Sequence, residues 1–176
     1  MLEELDLLLS QGNTIRYKKR DFIIRQGETS NKVFFVKKGV TRHYVITPEG
    51  KEKTIRISKE NDFFYSSIVS YFKNMPSYIY CQCLTNCDLI YWESLKLEAL
   101  FKTNSKLADF RNTQFVKFIL EKHDKEIALL TKSAAERFEE FCKNNLELFN
   151  RIPHHIIASY IDITPETLSR LRSNKS

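Results

Sequence analysis

The sequence predicts an α+β fold in which a small all-β half precedes an all-helical half. Three observations decide it. From about residue 13 to residue 93, short runs rich in β-branched and aromatic residues alternate with turn signals. Beyond about residue 94 the apolar period becomes helical. The string IPHHIIASYIDITPETLSRLR, near the end of the 176 residues, has the pattern of two short helices joined by a tight turn.

The strands expected first are Asp21-Phe22-Ile23-Ile24, Lys32-Val33-Phe34-Phe35-Val36 and Arg42-His43-Tyr44-Val45-Ile46. Lys53-Thr54-Ile55-Arg56-Ile57, Ile79 to Leu84 and Leu89-Ile90-Tyr91-Trp92 continue the series. Gly27, Gly39 and Gly50, three of the four glycines, fall at the turns between runs. Short strands at this spacing suggest a barrel or sandwich.

Ser105 to Leu130 contains no Gly or Pro and repeats apolar residues at Leu107, Phe110, Phe115, Phe118, Ile119, Ile127 and Leu130. That predicts a helix of roughly seven turns. Its stripe can pack within the chain or pair with a second copy, and the second is the favoured reading. Leu107, Phe110, Phe115, Phe118 and Ile119 are then the expected dimer contacts. Ser133-Ala134-Ala135-Glu136 has the form of a capping box opening a further helix.

In the last segment Pro153 suits a helix start, Ile157, Ala158 and Ile161 a buried face, and Asp162 the turn. Asp tolerates the left-handed conformation that this turn requires better than most residues. Thr164 supplies an N-cap oxygen, Pro165 a pre-set first φ and Glu166 a first-turn carboxylate, while Leu168 and Leu171 face back. Glu166, Thr167, Ser169, Arg170 and Ser173 remain outward, polar groups at the helix end that meets base edges in a helix-turn-helix. Arg170 fits a guanine edge and Glu166 a cytosine amino group, with Arg172, Lys175 and His154 or His155 as phosphate contacts. A net charge of +6 is compatible with a polyanionic partner.

Cys81, Cys83, Cys87 and Cys142 lack the paired C-x2-C spacing of zinc sites and a nearby His, so buried thiols are preferred over a metal centre. His43, His123, His154 and His155 fall in no nucleophile, metal or acid/base pattern, and no enzyme is expected. No run approaches the roughly 18–20 apolar residues of a membrane span, and the acidic N-terminus does not resemble a signal peptide. A cytoplasmic protein with no membrane partner is the expectation.

These strings together resemble the Crp/Fnr superfamily of bacterial transcription regulators, in the short form of Bacteroidetes-type bacteria. The resemblance rests on Arg25–Glu28, Val33–Val45, Pro48–Ile55, Ser133–Phe141 and Ile157–Arg172, and covers nearly the whole chain. It implies a cyclic-nucleotide-binding-like, cupin-like β-roll of the double-stranded β-helix (jelly-roll) type over 1–103. A dimerisation helix over 104–131 and a helix-turn-helix domain over 132–176 would follow. It further implies a homodimer on double-stranded DNA, with RNA polymerase and a small-molecule effector as additional partners. The family's base readers fall on Pro165, Glu166 and Arg170, and its phosphate contacts on Thr164 and Thr167.

Two departures follow. The sequence ends at Ser176, which leaves no room for a β-hairpin wing, so weaker DNA binding is expected. In nucleotide-binding members a Glu holds the ribose and an Arg holds the cyclic phosphate. Here those positions fall near Ser66 or Ser67 and near Ser77 or Tyr78, and no Arg occurs between Arg56 and Arg111. A buried phosphate without a cation is costly, so cyclic AMP is not expected as cofactor. Phe64, Tyr65, Ser66, Ser67, Ser77 and Tyr78 are the candidate lining of a different effector pocket. The rival reading is a ligand-sensing or protein-interaction module with a degenerate helix-turn-helix.

Overall fold

A computed structural model describes residues 2–174; Lys175, one of the expected phosphate contacts, lies outside them. The β half is a two-sheet roll. One four-stranded antiparallel sheet contains β1 (Asn13–Tyr17), β8 (Cys87–Glu93), β3 (Lys32–Lys38) and β6 (Phe63–Tyr65), in that spatial order. The other contains β2 (Phe22–Ile24), β7 (Tyr80–Cys83), β4 (Thr41–Ile46) and β5 (Glu52–Ser58). The six expected runs are strands; β1 and β6, which no expected run covers, are the two edges of the first sheet.

Register assigns each residue to a face. Phe34 pairs with Phe64 and with Tyr91, so these three share a face. Phe34 and Phe64 stack at 5.3 Å and fill the interior with Ile24, Val36, Cys81, Cys83, Cys87 and Leu89. The three strand cysteines thus serve as small hydrophobes. One residue along, Val33, Phe35, Ile90 and Trp92 point the other way and form a second core with Leu8 and Phe101. That outer face is covered by α1 (Leu2–Ser10), α3 (Ser94–Thr103) and the start of α4 (Ser105–Thr131). The Trp92 indole N–H donates to the Leu8 carbonyl at 3.2 Å, fixing α1 to the sheet.

The long helix has 27 residues, about 40 Å at 1.5 Å per residue. Asn104 caps it by accepting from the Leu107 N–H. Here the expected dimer stripe needs correction. Leu107 and Phe110 are 1% and 9% exposed because they belong to the chain's own outer-face core. They cannot contact a second copy. Exposed apolar residues begin a turn later, at Phe115, Val116, Ile119 and Leu120.

The remaining elements are α5 (Ala134–Asn145), a 3₁₀ turn over Leu146–Asn150, α6 (His154–Tyr160) and α7 (Pro165–Ser173). Ser133 and Glu136 form the full capping box of α5. Phe138, Phe141, Leu148, Ile157, Ala158 and Leu168 build the third core, which also takes Val40 and Leu84 from the roll. The helical head is therefore packed on the β half. Among the described residues no helix is long and apolar enough to cross a membrane.

Candidate nucleic-acid interface and the cavity beside the roll

Helix α7 is presented by its own capping. Thr164 Oγ1 accepts from the Thr167 N–H at 3.2 Å and Pro165 occupies the first turn. Asp162 adopts φ 56°, the left-handed turn expected of it. Leu168 is buried against α6, which leaves Pro165, Glu166, Ser169 and Arg170 exposed and Thr167 half-buried on the outer side. The Glu166 carboxyl is held below its usual range by its own backbone N–H and by the Thr164 hydroxyl, so it is ionised at neutral pH. Among the described residues the Arg170 side chain forms no hydrogen bond. Arg172 is differently placed: its guanidinium lies 2.9 Å from His154 Nδ1 and over the Phe149 ring. It ties α7 to the helix before it.

Sequence reasoning missed the groups that fix the head. Arg137 on α5 donates to the carbonyls of Ile161 and Asp162 at 2.8 and 2.9 Å, satisfying the backbone at the end of α6. Glu60 receives both guanidinium nitrogens of Arg151, which hold its carboxyl down at about 2. The Ser159 hydroxyl accepts from the Thr54 N–H and donates to the Glu52 carbonyl, and Lys53 pairs with Asp162. Partners 24 to 109 residues apart leave no local sequence pattern.

Lys125 of α4 sits where roll, long helix and head meet. Its ammonium donates to the Ile55 carbonyl at 3.1 Å and lies 3.7 Å from the Tyr160 ring centroid. Burial, and then repulsion by Lys122, brings its pKa down to about 7; Asp162 opposes the shift and Lys53 adds to it. The folded chain therefore binds fewer protons here than the unfolded chain between pH 7 and 10.5, so this group makes stability rise with pH across that window. Lys125→Met should raise the urea midpoint at pH 6, and the difference from wild type should shrink by pH 9. A constant difference over that range would refute the assignment.

The candidate effector residues do not converge. Ser67 caps the short helix α2 (Ile68–Lys73) through the Ser70 N–H. Ser66 bonds to Ser30 and to the Lys32 carbonyl, and Ser77 donates to the Ile79 carbonyl. Tyr78 is 58% exposed, and Phe64 is part of the roll interior. Ser67 and Ser77 are engaged within their own segments and Ser66 by Ser30 and Lys32, so the expected pocket is corrected. Deeper in the roll, His43 Nε2 lies 3.0 Å from the Tyr65 carbonyl, and burial pulls the imidazole down to about 3. It is neutral at physiological pH. Arg56 donates to Ser58 and to the Phe63 carbonyl.

A cavity of about 70 Å³ lies instead on the outer side of the first sheet, beneath α3 and α4. Phe64 and Tyr65 are the only residues from the expected lining that reach it; Trp92, Phe101, Phe110 and Gln114 are among the others.

Residues 14–104 match the family model described as the cyclic nucleotide-binding domain. The fold also resembles FixK2 from Bradyrhizobium japonicum at 20% identity, covering 93% of this chain and 83% of that one, with a TM-score of 0.77. CLP from Xanthomonas campestris, a c-di-GMP responsive global regulator, matches at 15% identity over 99% and 91%, with a TM-score of 0.70. A CooA mutant from Carboxydothermus hydrogenoformans matches at 18% over 95% and 77%, with a TM-score of 0.74. Comparison with curated proteins gives no match.

Proposed function

The chain belongs to the cyclic nucleotide-binding domain family and carries the fold of the Crp/Fnr regulators, and from that premise we propose that it is a dimeric DNA-binding transcription regulator whose roll does not take cyclic AMP. The carrying observation is α7. Its N-terminal end is capped and exposed, with ionised Glu166 and unengaged Arg170 on its outer side. Such a helix suits a major groove, where Arg170 reads guanine, Glu166 accepts from cytosine, and Ser169 and Thr167 reach neighbouring groups. Thr164 and Pro165 hold the helix in place. Residues 1–103 act as sensor, 104–131 as dimerisation helix and 132–176 as reading head.

Selection of bound duplexes from a random pool tests the reading. The expected result is a near-palindromic site with half-sites one helical turn, roughly 34 Å, apart. Binding should fall steeply with salt as phosphate counterions are released. Arg170→Ala should cost about 1–3 kcal/mol at the cognate site and relax one base position. Unchanged discrimination would remove Arg170 from the base-reading set. Absence of any salt-dependent DNA affinity would favour a protein-interaction module with a degenerate head.

Exclusion of cyclic AMP rests on the phosphate. The loop that would hold it offers Ser66, Ser67 and Ser77, engaged by Ser30 and the Lys32 carbonyl, by the Ser70 N–H and by the Ile79 carbonyl respectively. His43 contributes no charge, and Arg56 faces two partners already. A phosphate there would be buried unpaired. Calorimetric titration should show no low-micromolar binding of cyclic AMP, and such binding would overturn this part of the proposal.

A further inference from the structure

We propose that the cavity beneath α4 is a binding site for a small neutral ligand with a single aromatic ring and one polar substituent. It lies outside the interior of the roll, because register places Val33, Phe63, Tyr65 and Trp92 on the opposite face of the sheet from Phe34, and of the inward-facing pair Phe34 and Phe64 only Phe64 touches it. Its walls are mainly aromatic: Trp92 and Tyr65 from the sheet, Phe101 from α3, and Phe110 and Phe118 from α4. Rings favour offset or edge contacts with further rings, so this lining selects an aromatic guest.

The charged groups at the mouth are already neutralised. Arg111 pairs with Glu98 at 3.1 Å and lies over the Phe101 ring, while Glu98 also accepts the Tyr71 hydroxyl at 3.3 Å. An anionic ligand would have to displace Glu98, which disfavours a carboxylate or phosphate. Gln114, half-buried and lining the same mouth, is the remaining polar contact; among the described residues its amide forms no hydrogen bond. A cavity of about 150 Å³ encloses benzene. At about 70 Å³ this one holds part of a ring, and the substituent projects through the open side toward Gln114.

Trp92 is the chain's single tryptophan and lies in the wall, so its fluorescence reports occupancy. The test titrates the full chain with 4-bromophenol, whose bromine quenches indole on contact, and with bromobenzene as the partner lacking a hydroxyl. Saturable quenching is expected, with 4-bromophenol the tighter probe. Gln114→Leu should weaken 4-bromophenol by about five- to ten-fold, the value of one neutral hydrogen bond, and leave bromobenzene unchanged. Linear quenching equal to that of the urea-unfolded chain would overturn the proposal. So would saturable binding that is indifferent to Gln114→Leu. Binding confined to a monomeric Ile119→Glu variant would also overturn it, since a partner helix would then be the occupant of the mouth. None of these readouts involves DNA, so the proposal stands or falls apart from the regulator reading.

Discussion

Replacing Ile119 and Leu120 together by glutamate is expected to leave the chain folded, halve its mass in solution and weaken DNA binding by about 10²–10⁴-fold. The two side chains are 48% and 54% exposed in the single chain, so the substitutions remove no intramolecular core. With Phe115 and Val116 they form an apolar stripe along the middle of α4, continued by Phe72 of α2, whose ring lies 6.3 Å from that of Phe115. In a parallel helix pair four glutamates would face one another across the seam, where like charges oppose association. The affinity loss follows because one head engaging its half-site no longer tethers the other. Sedimentation reads the mass and a gel-shift titration reads the binding. An undiminished dimer would move the interface off this stripe, and full DNA affinity in the monomer would show that one head suffices.

Gly39→Ala should be strongly destabilising, at about 2–5 kcal/mol. Gly39 has φ +108°, a region that L side chains rarely enter, and an added Cβ would lie 2.6 Å from both the Asn86 carbonyl oxygen and Cys87 Sγ. Strain and overlap therefore add. The residue also donates its N–H to Glu60, the carboxylate that clamps Arg151, so a displaced backbone here loosens the head from the roll. Gly50→Ala supplies the control. It shares a positive φ of +78° but has open space around the new methyl, so only the strain remains, about 1 kcal/mol. Equal urea midpoints for the two variants would contradict the account.

The contrast between these glycines shows where reading the sequence stops. Both were legible as turn residues, because positive φ is a local demand that Gly meets best. That one of them is pressed against Asn86 and Cys87 depends on which strand lies beside the turn, and residues 39 and 86 are too far apart for any short-range pattern. The same division runs through the helices. The Ser133–Glu136 box and the Thr164-Pro165 start of α7 are written within four residues and occur as read. The stripe of α4 was also read, but an apolar stripe records that a face is covered without saying by what. Its first two turns, at Leu107 and Phe110, close over the chain's own sheet; the middle turns, at Ile119 and Leu120, stay open.

By itself, then, the sequence determined six of the strands, the long helix and those after it, the capped and outward-facing α7 and the lack of an Arg in the loop where a cyclic phosphate would bind. Each is a property of neighbouring residues. Only the tertiary structure decided that Ser66, Ser67 and Ser77 are already hydrogen-bonded within the protein, that Lys125 loses much of its affinity for a proton between roll and head, and that the cavity lies outside the roll. Those facts arise where burial and register bring together residues tens of positions apart, and desolvation and close packing act on the assembled surface rather than on the order of the chain.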